Sequence, residues 1–487
     1  MNNIGTLKKS IHGGKWMFFD TILQKAISLG SFLILARFLV PEDFGVIAII
    51  LIAPNIADIL TSPGFESALI KNKKDPTTYM SILWTFNVLR SFAIFLVLFF
   101  GAPIFASFFN AESLIWAFRL SGIFIIIQSL SSGAKIFFLK NIDFKKIFIR
   151  DISASLSYAI VAISLAIIYK SYWALFGGYV AQYSISTIIT YFLHEFRPRL
   201  DFKFKKLYEL ISYSKWIFGQ NLVSRAIPQI ENSLLGKLVG ATGVGLYTKA
   251  KSLASMPSAP FYNIISKVTF PAYSRIQDSF EKIKDGFLKS INILFFITVP
   301  VSVLFIEAGH RIILILLGEN WIGVDALLRI LIVAVTINIF SNLAGPIFNA
   351  TSRPRAQFRL GFINLITLVV FISILTPIYG TIGAATAFLI SSVVTALISL
   401  YVIARILKIK IIEIITPLIT PLVSSIIILI LGKIVLAQTI HISHFGFIAL
   451  ITTLGAIYVT LVYFLGVLLK TGPYKTLLII TRELLQR

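Results

Sequence analysis

Lys25 and Arg225 offer the most chemistry in this sequence, because each is a cation set deep in an apolar run. At about 1.5 Å of rise per residue, a helix starting at Lys15 carries Lys25 roughly 15 Å inward, near the middle of a bilayer. Insertion scales put the cost of such a charge at about 2.5–3.5 kcal/mol or more, so it must face a polar cavity or a partner. Two readings stand open. One is a structural ion pair, Lys25 with Asp58 or Arg225 with Glu231. The other, which we prefer, is a surface for an anionic substrate, suited to the point charge of Lys and the planar fork of Arg. Lys249 and Lys251 enter a neighbouring run and either extend that basic surface or snorkel to the interface. The intramembrane carboxylates Asp58, Glu66 and Glu231 suit binding of a coupling proton or Na⁺, since desolvation raises their pKa, or neutralisation of the nearby cations. Neutralisation is favoured. Nothing resembles a catalytic centre. The five histidines are scattered, and His441 and His444 lack acidic company for a metal. No phosphate-binding loop, zincin motif or serine elbow occurs, so neither an enzyme nor a cofactor is expected.

The elements that must position these charges occur twice. The stretch from Lys15 reads KWMFFDTILQKAISLGSFLILARFLVPEDFG, and the stretch from Lys215 reads KWIFGQNLVSRAIPQIENSLLGKLVGATGVG, at an ungapped offset of 215 − 15 = 200. Lys15, Trp16, Phe18, Ala26, Ile27, Leu35 and Gly45 recur as Lys215, Trp216, Phe218, Ala226, Ile227, Leu235 and Gly245. Lys25 recurs as Arg225 and Arg37 as Lys237, which apolar bias does not explain. This is the signature of a duplicated transporter half whose first helix carries a deep cation.

The 487 residues are 57% hydrophobic and only 13% charged, against roughly a quarter charged in soluble domains, so the chain lacks a surface for water. The apolar runs are continuous and of helix length, which excludes an outer-membrane barrel. The expected fold is an all-α polytopic membrane protein of about 14 transmembrane helices. The spans fall near 15–39, 44–69, 79–101, 113–138, 148–169 and 172–194, then 210–238, 245–270, 288–307, 325–350, 357–376 and 381–405, with two more near 412–437 and 445–469. Two six-helix lobes, 1–194 and 210–405, are then joined by a basic linker, 195–209, and followed by two additional helices and a tail, 406–487. Copies six spans apart enter from the same side, so the expected symmetry is a parallel pseudo-two-fold along the membrane normal. The net charge of +23 gathers in alternate loops, among them those with Lys71, Lys73 and Lys74, with Lys140, Lys145 and Lys146, and with Arg197, Arg199, Lys203, Lys205 and Lys206. The opposite loops hold little beyond Lys170 and Arg311. This asymmetry places both termini in the cytoplasm and makes the basic charge a topology signal, secondarily a contact with anionic membrane lipids, and not a nucleic-acid site. Pro54, the Pro63–Gly64 pair, Pro228, Pro257, Pro260 and Pro271 interrupt the second, seventh and eighth spans, either as ordinary kinks or as marks of mobile helices.

Several runs carry a resemblance. LARFLVPEDFGVIAI (35–49), GFESALIKNKK (64–74) and GLYTKAKSLASMPSAPFYNIISKVTFPAYSRIQDS (245–279) resemble the polysaccharide-transport family, as do LGENWIGVDALLRIL (317–331) and Ser352-Arg353-Pro354. The similarity covers about residues 10 to 410. The chain is similar to Wzx-type flippases of the multidrug/oligosaccharidyl-lipid/polysaccharide superfamily. Membership implies movement of undecaprenyl-diphosphate-linked oligosaccharides from the inner to the outer leaflet of the bacterial cytoplasmic membrane, by alternating access around a cationic cavity. It implies a polysaccharide polymerase and chain-length machinery as partners in the same pathway. Related lipid II flippases keep cavity cations on the first, second and eighth helices. Lys25 and Lys249 or Lys251 match the first and eighth, whereas the second helix here offers Asp58 and no matching cation. One rival, a drug/cation antiporter of the same superfamily, predicts a cavity dominated by carboxylates. Another, a membrane polysaccharide polymerase, predicts a large polar outer loop that this chain lacks.

Overall fold

A computed structural model of the protein describes residues 3–61, 65, 69, 76–205, 207, 215–276, 279–351, 353–438 and 444–469. Glu66, the Pro63–Gly64 pair, the lysines at 71, 73 and 74, His441 and the tail from 470 lie outside the described residues. Every described element is a helix, and nine helices among them are long and apolar enough to cross a membrane. The chain divides into two compact units, Met1–Leu246 and Tyr247–Arg487.

The first unit begins with α1 (Asn3–Phe38), which ends in extended backbone at Val40. Pro41 then occupies the first turn of α2 (Pro41–Ile50), where its missing N–H costs nothing. The Asp43 carboxylate accepts the Val40 N–H at 3.0 Å and closes the start of that helix. The second copy breaks at the corresponding point. In α10 (Lys215–Ala254), Gly240, 200 residues after Val40, has φ 67° and ψ −174°, a conformation that glycine adopts without penalty. The spans expected at 210–238 and 245–270 therefore meet at one kinked residue. The second of them is interrupted again at 255–258, before Pro260 enters the first turn of α11 (Ala259–Arg275).

The two copies touch reciprocally inside the first unit. A Cβ built on Gly45 would stand 1.7 Å from the Ala241 carbonyl oxygen, and one built on Gly245 would stand 1.8 Å from the Pro41 carbonyl oxygen. Pro41 pairs with Ala241, and Gly45 with Gly245, at the same 200-residue offset that relates the sequences. Such close backbone approach requires residues without side chains.

After α2, Leu51 separates α3 (Ile52–Thr61), consistent with Pro54 removing a donor one turn on. The third span is the long α4 (Thr77–Phe108). The fourth is fragmented into a 3₁₀ turn, α5 (Ile115–Ser121), α6 (Ile123–Ser129) and α7 (Ala134–Lys140). Next, α8 (Phe144–Tyr169) packs against both α1 and α9 (Tyr172–Leu193). Buried Ala154, Ala162 and Ala166 of α8 and Ala174 and Gly178 of α9 let those two helices approach closely. The segment after α9 does not hang free. Leu207 is buried in one cluster with Tyr79, Met80, Leu83 and Phe137, and the Asp201 N–H donates to Thr85 Oγ1 at 3.0 Å.

The second unit is built on α12 (Phe280–Leu316), longer than its expected span because the amphipathic turn around Lys282 and Lys284 continues the helix. Its face of Ile283, Phe287, Ile291 and Leu294 lies in one buried cluster with Leu343 and Ile347 of α13 (Val324–Ala350) and Leu418 of α15 (Ile411–Gln438). Lys284 pairs with Glu413 across α12 and α15. The eleventh and twelfth expected spans form α14 (Pro354–Leu407), broken at Gly380 with φ 59°. There Asn364 Oδ1 accepts from Ser391 and Thr395, satisfying buried hydroxyls across the break. Finally, α16 (His444–Leu469) docks through Tyr458, whose hydroxyl donates to the Phe296 carbonyl at 2.9 Å.

Candidate substrate-binding site

Two guanidiniums converge on one carboxylate, the three side chains coming from three helices of the first unit. Asp58 sits in the last turn of α3, Arg90 near the middle of α4, and Arg225 in the first part of α10. Arg90 Nη2 donates to Asp58 Oδ1 at 2.9 Å, and Arg225 Nη2 donates to Asp58 Oδ2 at 3.0 Å. Each carboxylate oxygen thus serves one guanidinium, and the cluster keeps one net positive charge. Arg90 is further tied to the end of α3, with Nη1 3.0 Å from Thr61 Oγ1 and 3.4 Å from the Asp58 carbonyl oxygen. A cation at the carbonyl end of a helix is favourably placed. One turn along the same seam, Asn55 Nδ2 donates to Gln229 Oε1 at 3.4 Å, continuing the α3–α10 contact.

Exposure separates the two arginines. The Arg90 side chain is 13% exposed and Asp58 29%, whereas Arg225 is 56% exposed. The bond to Asp58 occupies one terminal nitrogen of Arg225, whose side chain is otherwise more than half exposed. In chemical terms this is an anchored, partly exposed guanidinium. It offers no nucleophile and no acid–base pair.

The other candidate residues are distributed as follows. Lys25 lies at an exposed position of α1, and Asp58 pairs with Arg90 and Arg225 rather than with Lys25. Arg225 pairs with Asp58, whereas the sequence reading weighed Glu231 as its partner. Glu231 is buried, 2% exposed, and has an interaction partner. Glu66 lies outside the described residues. Lys249 and Lys251 belong to the second unit, where Lys251 Nζ sits 3.8 Å from the Phe388 ring centre and 5.7 Å from that of Tyr247. Lys237, the counterpart of Arg37, reaches Asn110 Oδ1 at 3.4 Å and lies over Phe108. Arg90 and Arg329 are intramembrane cations that sequence alone does not assign in depth, and the structure brings Arg90 into the cluster. Its signal was a second intramembrane cation one span after an intramembrane carboxylate, but the helix rotation that brings them together is not written in local sequence.

A family model described as polysaccharide biosynthesis protein matches residues 34–326. The chain is 22% identical over 404 residues to the lipopolysaccharide biosynthesis protein WzxC of Escherichia coli (strain K12), covering 82% of this chain and 81% of that protein. Among solved structures, the lipid II flippase MurJ in an inward closed conformation superposes with a TM-score of 0.75 at 15% identity, covering 94% of this chain and 99% of that one. An inward-facing multidrug resistance MATE family transporter of the MOP superfamily gives 0.58 at 15% identity, covering 79% and 94%.

Proposed function

Because the chain belongs to the polysaccharide biosynthesis protein family, we propose that it is a Wzx-type flippase, carrying lipid-linked oligosaccharides across the cytoplasmic membrane for assembly of a surface polysaccharide. It is a multi-pass membrane transporter rather than an enzyme. The substrate we assign is an oligosaccharide on undecaprenyl diphosphate. The observation that carries this reading is the net-positive cluster of Asp58, Arg90 and Arg225, in which Asp58 and Arg90 lie on helices long and apolar enough to cross a membrane and Arg225 is held at an exposed position. A diphosphate needs cations at depth, a glycan needs a polar path, and a polyprenyl tail can stay in lipid throughout. No covalent bond forms or breaks, so rocking of two lobes about a central site suffices.

In this reading Arg225 grips phosphate oxygens with its planar fork, and Lys25, its counterpart on α1, adds a point charge. Lys249 and Lys251 add positive charge along the path of the same headgroup. Asp58 neutralises part of the arginine charge, and Glu231 is a structural carboxylate. The architecture we assign has about 14 helices, two lobes related by a pseudo-two-fold, two additional helices, and both termini in the cytoplasm. The reciprocal Gly45–Ala241 and Gly245–Pro41 contacts support the two-fold, because a symmetry axis between two copies generates just such paired contacts. A polymerase and chain-length machinery act on the product. The antiporter reading fits less well, since the deep charges of the first unit lean basic.

The test uses a strain lacking this protein, complemented with variants, in which the leaflet distribution of undecaprenyl-diphosphate glycan is measured per folded molecule. Loss of the protein should strand the glycan in the inner leaflet. The Lys25→Gln, Arg225→Gln double variant should reach the membrane yet transfer at least about tenfold more slowly, the size of one lost charge-assisted contact. Asp58 keeps Arg90 as a partner in that variant, so folding should survive. Normal transfer by the double variant would remove the site. Normal transfer in the deletion strain, with unpolymerised glycan outside, would favour a polymerase.

A further inference from the structure

We infer that Asp58 is a positioning residue for the anion site: anchored by Arg90, it holds the Arg225 guanidinium at depth and aims its open edge at the ligand. The inference rests on the reading of Arg225 as a phosphate ligand and adds a role that electrostatics alone would not assign. A carboxylate beside a phosphate site has the wrong sign. By Coulomb attraction alone, removing it should strengthen binding of an anion.

The geometry argues for the opposite outcome. Arg225 is long, flexible and 56% exposed, and such a side chain within a membrane tends to snorkel toward the interface. Asp58 Oδ2, 3.0 Å from Nη2, is the contact that restrains it. Asp58 could not do this alone without cancelling the charge it positions. Arg90 resolves the conflict by engaging the other oxygen at 2.9 Å, so the carboxylate is shared and a net positive charge remains. Arg90 is itself fixed by Thr61 Oγ1 and the Asp58 carbonyl oxygen, and it is largely buried. The chain of contacts thus runs from a buried anchor, through a shared bridge, to an exposed guanidinium. Preorganisation of this kind raises affinity by removing the ordering cost from the binding step.

The experiment is a double-mutant cycle on the purified full-length protein, reading equilibrium binding of undecaprenyl diphosphate, with undecaprenol as the uncharged control. Melting temperature is followed in parallel. Arg225→Gln should weaken diphosphate binding at least about tenfold and leave undecaprenol binding unchanged. Asp58→Asn should also weaken it, by about three- to tenfold, although it removes a negative charge. In the Arg225→Gln background, Asp58→Asn should have no further effect beyond about twofold, because a positioning residue has nothing left to position. Arg90→Lys, which cannot hold Asp58 Oδ1, the Asp58 carbonyl oxygen and Thr61 Oγ1 together in a fork, should reproduce the Asp58→Asn loss. Should Asp58→Asn fail to fold, Asp58→Glu takes its place in the cycle. It keeps the charge but displaces the guanidinium, so it too should weaken binding only when Arg225 is present. Unchanged or tighter binding by the Asp58 variant, with Arg225→Gln still impaired, overturns the inference and leaves the site intact. Equal losses in both backgrounds overturn it in favour of a direct or purely structural role. Wild-type binding by Arg225→Gln overturns the site and the inference together.

Discussion

Replacing the hydrogen of Gly45 by a methyl would set a carbon 1.7 Å from the Ala241 carbonyl oxygen, and no rotamer change can relieve a clash with backbone. Gly45→Ala should therefore force the two helix starts apart and lower stability by about 1–3 kcal/mol or more, and Gly245→Ala should do the same. Gly240 is a different case, because a Cβ there meets nothing within 4 Å, yet φ is 67°. Gly240→Ala should cost only the strain of φ 67° with ψ −174°, a region essentially confined to glycine, about 1–3 kcal/mol. Gly30, helical and with open space around it, is the control: Gly30→Ala should be neutral or slightly stabilising. Melting temperatures of the four variants in one detergent rank these costs, and a Gly45→Ala protein as stable as Gly30→Ala would refute the close crossing. The same residues explain the PEDFG run at 41–45. Pro41 starts a helix, Asp43 closes its first turn, and Gly45 admits the second copy.

Among the elements, the segment after α9 carries the pH-sensitive contact. The Phe196 N–H donates to His194 Nδ1 at 3.0 Å, which requires an unprotonated Nδ1, and the ring stacks on Phe137 at 4.4 Å between centres. Burial, then the positive charges of Lys146 and Arg197, push the His194 pKa below its ordinary 6.5, with Glu195 opposing them. The folded protein thus prefers neutral His194. The stabilising contribution is fully present above the unfolded value of 6.5 and is lost as pH falls through the lower folded value. Amide exchange across residues 196–205, corrected for its intrinsic pH dependence, should show less protection at about pH 5 than at about pH 7.5, and His194→Gln should flatten the difference. The sequence marked this segment as a basic linker but not as a docked one, because its anchors, Thr85 and Leu207, contact partners more than a hundred residues away or across a cluster. Helices, by contrast, were legible wherever apolar length dominated. The breaks at Gly240 and at 255–258 were harder, since Gly and Pro mark an interruption without fixing its residue. At the candidate site, Lys25 and Arg225 were legible as deep cations, and Asp58 as a carboxylate among them. The Arg225–Asp58 pair spans 167 residues and depends on how α3 and α10 are rotated, which no periodicity in either helix encodes.

For the whole molecule, the orientation of the chain decides on which side each charge meets the substrate. Lys145 and Lys146 open α8 and Lys170 follows its end, and the 26 residues of that helix span about 39 Å, more than a hydrocarbon core. These lysines must then lie on opposite faces. The tyrosines, serines, threonines and Gln182 of the next helix, α9, keep it outside the nine strongly apolar spans. Its 22 residues still reach about 33 Å, and its small-residue contact with α8 fixes it alongside a helix that does cross. Arg197 and Arg199 should therefore return to the face of Lys146, where basic residues collect and where the positive-inside rule places the cytoplasm. The absence of native cysteines makes the test direct. Lys170→Cys and Arg199→Cys both replace exposed residues and should leave the fold unchanged. In intact cells a membrane-impermeant maleimide should label Lys170→Cys, whereas Arg199→Cys should react only after permeabilisation. The reverse pattern would invert the protein and with it the direction of the proposed transfer. Labelling of both from outside would instead mean that α9 does not cross, which would break the count of six spans per lobe on which the pseudo-two-fold depends.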